Sequence, residues 1–410
     1  MTAAPDAWRI ISTRAVRSFS DGFVSVLLAK YLSELGFSAG QVGAVATTTL
    51  LGTAVATLAV GATTDRLGRR RMLALATLLA AATGVAFASA SEFVPVLLIA
   101  AVGTLNPSAS DVSVFLPVEQ AILPQTVADG QRTSLFARYN LAGALASAAG
   151  ALFAAVPSLL HEWFGWPLLD TLRAMFVLYA ALALVNFAVY RTLSPVVEVV
   201  RSEQRAPLHR SRGMVMRLSG LFAIDAFAGG FIVQSMLALW LFERYGLSIG
   251  QAALIFSAAG VMSALSFLVA ARVADRFGLV NTMVFTHLQS NVLLILVALM
   301  PTAWLAVVML LARQSLSQMD VPTRQSYTMA VVEPDERAAA ASVTGVARSL
   351  SSSGSPVLAG AMLGASTFGW PLIVAGGLKI GYDLALLQQF SAVRPAEEIV
   401  AAPGGGGRDA

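Results

Sequence analysis

Residues 42–60 read VGAVATTTLLGTAVATLAV, a run without a charge whose only polar side chains are threonines. A helix over this run is apolar on every face, and at about 1.5 Å per residue it nearly matches the ~30 Å hydrocarbon core of a bilayer. Residues 72–90, MLALATLLAAATGVAFASA, repeat the pattern. Further runs lie near 15–34, 94–122, 133–158, 168–190, 216–242, 250–271, 282–300, 303–325, 338–363 and 370–391. Together they predict an all-α integral membrane chain of about twelve spans. Composition agrees, since 12% of the 410 residues are charged and 57% hydrophobic, against roughly 25% charged in soluble domains. No cleavable leader is expected, because Asp21 and Lys30 interrupt the first run and no small-residue cleavage site follows a short apolar core. The absence of cysteine excludes disulfides and thiolate chemistry.

The few charges are distributed unevenly. Arginines gather at Arg9, Arg14 and Arg17, at Arg66 and Arg69 to Arg71, near 132–138, through 191–217, and at Arg272 and Arg276. The alternate connections carry only Glu34, Glu92, His161 with Glu162, and Glu243 balanced by Arg244. Short loops rich in Lys and Arg stay cytoplasmic. Both termini and the 191–213 connection are therefore expected inside a bacterial-type inner membrane, which requires an even number of spans. The net charge of +4 is explained by this topology, so nucleic acid is not an expected partner.

The chain also repeats itself. GFSAGQ at 36–41 returns as GLSIGQ at 246–251, and DRLG at 65–68 returns as DRFG at 275–278, both displaced by 210. Pro117, Gln120 and Arg132 match Pro322, Gln325 and Arg337 at a displacement of 205. Unrelated apolar helices do not align Gly, Gln, Asp and Arg at fixed offsets, so internal duplication is inferred. The expected architecture is two pseudo-symmetric six-helix bundles, residues 10–190 and 214–392. A polar cytoplasmic linker at 191–213 joins them, and a Gly-rich disordered cytoplasmic tail at 393–410 follows.

Two six-span halves, each with an Asp-Arg-x-Gly loop between its second and third spans, resemble the major facilitator superfamily of secondary transporters. The family's loop pattern is matched at Gly61, Asp65, Arg66, Gly68, Arg69 and Arg70, and departs at Thr63. The second copy keeps Asp275, Arg276 and Gly278 but has Leu279 and Val280 in place of the basic pair. The resemblance implies that these residues form a conformational gate and that the protein is a monomer. Gly61 and Gly68 would permit close helix approach and a tight turn. Asp65 would latch onto the positive N-terminal end of the eleventh span near Arg337, and Glu119 would pair with Arg69 or Arg70. For Arg70 and Arg71 the topological bias alone is an alternative explanation.

Ionisable groups inside a bilayer are costly and so mark function. Those falling within the predicted spans include Asp21, Lys30, Asp111, Arg138, Asp225, His287, Arg313, Asp320, Arg348, Lys379 and Asp383. Arg313, Asp320 and Arg324 share one face of a continuous tenth helix, on which Asp320 and Arg324 pair. Lys379 and Asp383, four apart, either satisfy each other as a structural pair or belong to a site, and Asp21 either neutralises Arg17 or titrates. Asp21 and Asp111 are the candidates for proton coupling. The resemblance to drug/proton antiporters, which carry an acid in the first span, implies the same of Asp21, although their Gly-Pro signature is missing from the fifth span. Arg313 and Arg348, with Asp320 and Asn106, are the candidate substrate-binding residues: arginine suits a carboxylate or phosphate, and Asn106-Pro107 breaks the fourth span so that carbonyls face inward. In GSPVLAG at 354–360, Pro356 is expected to bend the eleventh span.

Three histidines, no cysteine and no nucleotide loop leave no basis for an enzyme, a metal site or a cofactor. The expected function is proton-coupled export of a small amphipathic or organic-ion compound by alternating access, with membrane lipids around it. Proton-coupled uptake of an organic anion is the alternative, and a receptor or scaffold without flux is an alternative of another class.

Overall fold

The apolar runs become helices in a computed structural model of the chain, which describes residues 5–108, 113–127, 132–198, 209–333 and 336–390. Before the linker the helices are α1 (Pro5–Glu34), α2 (Ala39–Leu67), α3 (Arg69–Ser89), α4 (Phe93–Val102), α5 (Leu116–Ile122), α6 (Arg132–Phe153), α7 (Val156–Phe164) and α8 (Leu168–Arg191). After it come α9 (Arg212–Gly230), α10 (Gln234–Tyr245), α11 (Ile249–Phe277), α12 (Leu279–Leu299), α13 (Ala303–Leu316), α14 (Asp320–Ala330), α15 (Arg337–Ser353), α16 (Ser355–Ala365) and α17 (Trp370–Phe390). No strand occurs among the described residues.

Eight of the helical segments are long and apolar enough to cross a membrane. The remaining expected spans depart for identifiable reasons. The first, α1, runs from Pro5 rather than from residue 15 and carries Arg9, Arg14, Arg17, Asp21 and Lys30, so its mean hydropathy falls although most of it is buried. The fourth breaks after Val102, ahead of Asn106 and Pro107, whose ring cannot supply a helical N–H. The tenth is not continuous: α13 ends at Leu316 and α14 begins at Asp320, so Arg313 and Asp320 sit on separate helices and share no single helical face. The eleventh breaks at Gly354, next to Pro356.

The sequence repeats recur as repeated backbone. Ser38 and Gln41 form a reciprocal cap at the start of α2, and Ser248 and Gln251 make the same pair of bonds at the start of α11. Gly68 and Gly278 have φ of 87° and 83°, a left-handed region that only glycine enters without strain, and each turns one helix directly into the next.

The two ends of the bundle differ. At the end that carries the linker, Asp6 accepts from Ser194 through both its N–H (3.3 Å) and its hydroxyl, and from Arg9 at 2.7 Å. Partial burial pushes the Asp6 carboxyl up, but these hydrogen bonds hold it below the usual aspartate range. Among the described residues, close contacts between the chain before and after the linker lie from mid-depth to the opposite end. A side chain at Gly43 would strike the Pro356 carbonyl and one at Gly360 the Ala39 carbonyl, so α2 and α16 touch backbone to backbone. Val357 N–H donates to Thr47 Oγ1 at 2.9 Å, and Gly260 of α11 lies against Ala148 of α6. Near the linker end Gly61 is exposed, and a Cβ there would meet nothing within 4 Å. It therefore makes no close helix approach in this conformation, contrary to the expectation, because α2 packs here through Val60 and Thr64 and turns Gly61 outward.

Candidate functional site

Two buried polar clusters occupy the bundle, one on each side of the linker. The first is built on Glu119 in α5, which has no solvent exposure. Arg17 of α1 grips it with both guanidinium nitrogens, Nη1 to Oε1 at 2.9 Å and Nη2 to Oε2 at 2.6 Å. Tyr139 of α6 donates to Oε2 at 2.6 Å and Tyr190 of α8 to Oε1 at 2.5 Å. The Arg17 guanidinium also lies over the Phe115 ring, 4.6 Å from its centroid. Every charge here is paired and every carboxylate oxygen saturated, the condition under which a buried ion pair persists.

Glu119 thus joins four helices and does not pair with Arg69 or Arg70, the partners expected for it in the gate. The partners of those two arginines come from the linker. Glu198 accepts from the backbone N–H of Arg69 at 2.7 Å and of Arg70 at 3.3 Å, capping the start of α3, while the Arg69 side chain donates to the Val197 carbonyl. Because Glu198 fills this place, Glu119 is left to the interior. Asp21, one turn beyond Arg17, is buried and hydrogen-bonded by Asn106; the closer carboxylate, Glu119, takes the guanidinium of Arg17. Asp111 lies outside the described residues, as do the side chains of Asp65, Asp275 and Arg337. Arg66 and Arg276 are exposed, the latter over the Phe277 ring.

The second cluster centres on Asp225 of α9. Lys379 of α17 donates to its Oδ1 at 2.5 Å, Arg348 of α15 to its Oδ2 at 3.1 Å and Arg324 of α14 to the same oxygen at 3.5 Å. His287 Nε2 of α12 stands 3.6 Å from Oδ1. The other ring nitrogen, Nδ1, is 2.7 Å from Asp383 Oδ1, and Asn291 donates to Asp383 Oδ2 at 2.9 Å. Arg324 makes its shorter bond, 2.8 Å, to Asp320 one turn earlier, the pair read from the spacing. Lys379 and Asp383 do not satisfy each other. Their side chains reach different helices, Lys379 to α9 and Asp383 to α12, because two better-placed partners flank α17.

Arg313 donates to Gln314 at 2.7 Å, and its buried Nε has no hydrogen-bond partner. Arg348 is more open than the other cations bonded to Asp225, its side chain 31% exposed against 8% for Lys379 and 9% for Arg324. Among the described residues three cations, Arg324, Arg348 and Lys379, are bonded to Asp225 or Asp320 with Asp383 beside them, and Arg313, bonded to Gln314 and to none of these acids, adds a fourth. Cation and anion do not balance even before His287 is counted. Above it, the broken fourth span meets the break between α9 and α10, where Ser235 N–H donates to the Pro107 carbonyl at 3.0 Å. Asn106 holds Ser108 through N–H and hydroxyl bonds of 3.1 and 2.7 Å. Asp225 was legible only as one ionisable residue among several. Spacing along a helix reports contacts on that helix, and Asp225 has its partners on four others.

A polytopic helical bundle with cross-helix charge networks is an arrangement that suits a membrane transporter. The Major Facilitator Superfamily model matches residues 10–356 and again 221–398, and the chain belongs to that superfamily. It is a transporter and not an enzyme. The chain is 21% identical over 413 residues to the uncharacterized membrane protein YJR124C of Saccharomyces cerevisiae, covering 92% of each. Its fold is similar to that of the nucleoside transporter NupG, with a TM-score of 0.71 at 15% identity, over 93% of this chain and 98% of that one. A D-xylose-proton symporter gives 0.71 at 14% identity, over 93% and 96%.

Proposed function

We propose that the protein is a proton-coupled secondary transporter that carries a small organic anion by alternating access, with twelve crossings in two six-helix bundles and both termini cytoplasmic. The observation that carries the substrate class is the cation surplus around Asp225, with Arg348 partly exposed and Arg313 holding a buried nitrogen without a partner. A carboxylate or phosphate entering there would complete the charge balance and accept from planar donors. The close backbone contact at Gly43 and Gly360 fits a carrier closed at the end away from the linker. In this reading Asp21 exchanges the proton. Nucleoside and sugar carriers share the fold, so the substrate class rests on the cluster and not on the likeness.

A second reading, export of an amphipathic cation in exchange for protons, is favoured by the burial of Asp21 beside Asn106. Reconstitution separates the two. Proteoliposomes under an imposed pH gradient are offered a set of labelled aromatic and aliphatic carboxylates and, separately, cationic dyes. The anion reading expects carboxylate flux that Arg348→Gln and Arg313→Gln each abolish. Dye flux lost in Asp21→Asn but retained in both arginine variants would replace it with the exporter, and no flux of either kind would revive the receptor.

A further inference from the structure

At the linker end a cavity of about 700 Å³ opens between α3, α8 and the linker. Its wall carries Arg66, Arg70, Arg71 and Arg191, and among the described residues that line it Glu198 is the one carboxylate. Glu198 is already committed to the backbone N–H groups of Arg69 and Arg70. One carboxylate against four arginines leaves the wall net positive. Arg70 Nη2 reaches the Arg191 carbonyl at 3.2 Å, while its buried Nε has no hydrogen-bond partner. Arg191 lies over the Phe187 ring, 5.8 Å from its centroid.

A second observation concerns what continues from the cavity. On α3 the exposed face runs from Arg71 through Leu75 (54% exposed) and Leu78 to Val85, residues three, four or seven apart. On α8, which packs against α3, the exposed face runs from Arg191 back through Leu184 (50%) to Val177. Each apolar stripe thus ends in an arginine at the same cavity. A ligand that suits both parts has a phosphate-bearing head and long apolar tails.

We infer that this cavity is a binding site for an anionic phospholipid of the leaflet facing the linker. The head-group phosphate sits among Arg70, Arg71 and Arg191 and the acyl chains lie along α3 and α8. Arginine is suited to this, since its planar donors meet two phosphate oxygens at once and its weak hydration favours an interfacial position. A soluble phosphate ester would meet the same arginines but make no use of the stripes.

The test uses the purified full-length chain in detergent micelles, titrated with dioctanoyl phosphatidylglycerol, dioctanoyl phosphatidylcholine, glycerol 3-phosphate or inorganic phosphate. Binding is read by native mass spectrometry and by the shift in unfolding temperature. Phosphatidylglycerol is expected to bind saturably, phosphatidylcholine far more weakly, and neither soluble phosphate to displace the lipid. Arg71→Gln/Arg191→Gln should weaken phosphatidylglycerol about tenfold or more, the loss of roughly one charge-assisted contact. Arg272→Gln, an exposed arginine of α11, should leave it unchanged. The single substitutions are run beside the pair, so one misfolded variant does not remove the test. Wild-type binding in the folded variants, an equal loss in Arg272→Gln, equal binding of phosphatidylcholine, or displacement by glycerol 3-phosphate or inorganic phosphate would each overturn the assignment.

Discussion

Removing the Glu119 carboxylate is the sharpest perturbation the structure offers. Glu119 is fully buried, and the Arg17 side chain that it neutralises is only 7% exposed. Glu119→Ala leaves two tyrosine hydroxyls without their acceptor and the Arg17 guanidinium without its carboxylate, with the Tyr190 hydroxyl at 3.1 Å in its place. Breaking one side of a buried ion pair costs about 3–5 kcal/mol, because the remaining charge stays desolvated. Arg17→Ala should cost a similar amount. The double variant strands neither member of the pair, so its cost should fall below the sum of the two by about 3 kcal/mol. The assay is reversible unfolding in mixed dodecyl maltoside and dodecyl sulfate micelles, followed by tryptophan fluorescence. If the two single costs add within about 0.5 kcal/mol, as independent sites do, Arg17 has water or another acid as partner and the clamp across α1, α5, α6 and α8 is wrong.

Asp225→Asn should destabilise by about 3–5 kcal/mol in the same assay, since it leaves three cations facing an amide, whereas Lys379→Gln should cost clearly less because Arg348 and Arg324 still hold Asp225. Glu336 accepts from the backbone N–H groups of His209, Ser211 and Arg210 at 2.7–2.8 Å, and these bonds lower its carboxyl to about 2. An acid lowered on folding stabilises above its ordinary value near 4.5 and loses that contribution as pH falls toward about 2. Wild-type stability should therefore drop more steeply between these values than that of Glu336→Gln, a comparison made by thermal unfolding across pH. Gly43→Leu should hold α2 away from α16; in a chain without native cysteine, a Thr47→Cys/Val357→Cys pair should cross-link readily with Gly43 in place and several-fold less in its absence.

Much of the fold could be read from the chain because apolar periodicity is a local property. So were the turns: the Asp-Arg-x-Gly repeat became two glycines with positive φ, and the Gly-x-Ser-x-Gly-Gln repeat became two matching caps. The candidate site was legible only as an inventory. Asp320 and Arg324 lie on one helix, and their pairing followed from spacing. Lys379 and Asp383 have the same spacing and part, because the helices beside them decide. Glu119 was misassigned for the same reason: four helices meet at it, and nothing near it in the chain names Arg17 or Tyr190. Where Gly61 faces depends on which helices stand apart in this conformation, a property of the assembled bundle.

The two carboxylates that grip the linker also make it a leash. Glu198 fastens its beginning to the start of α3, and Glu336 fastens its end to the loop before α15. Between Glu198 and His209 the chain reaches at most roughly 36–40 Å when fully drawn out, at about 3.3–3.6 Å per residue. As long as both knots hold, that length caps how far the parts they join can swing apart on this side of the membrane. In the alternating-access reading proposed above, that length would limit the stroke, and loosening either knot would lengthen it without touching a residue of either buried cluster.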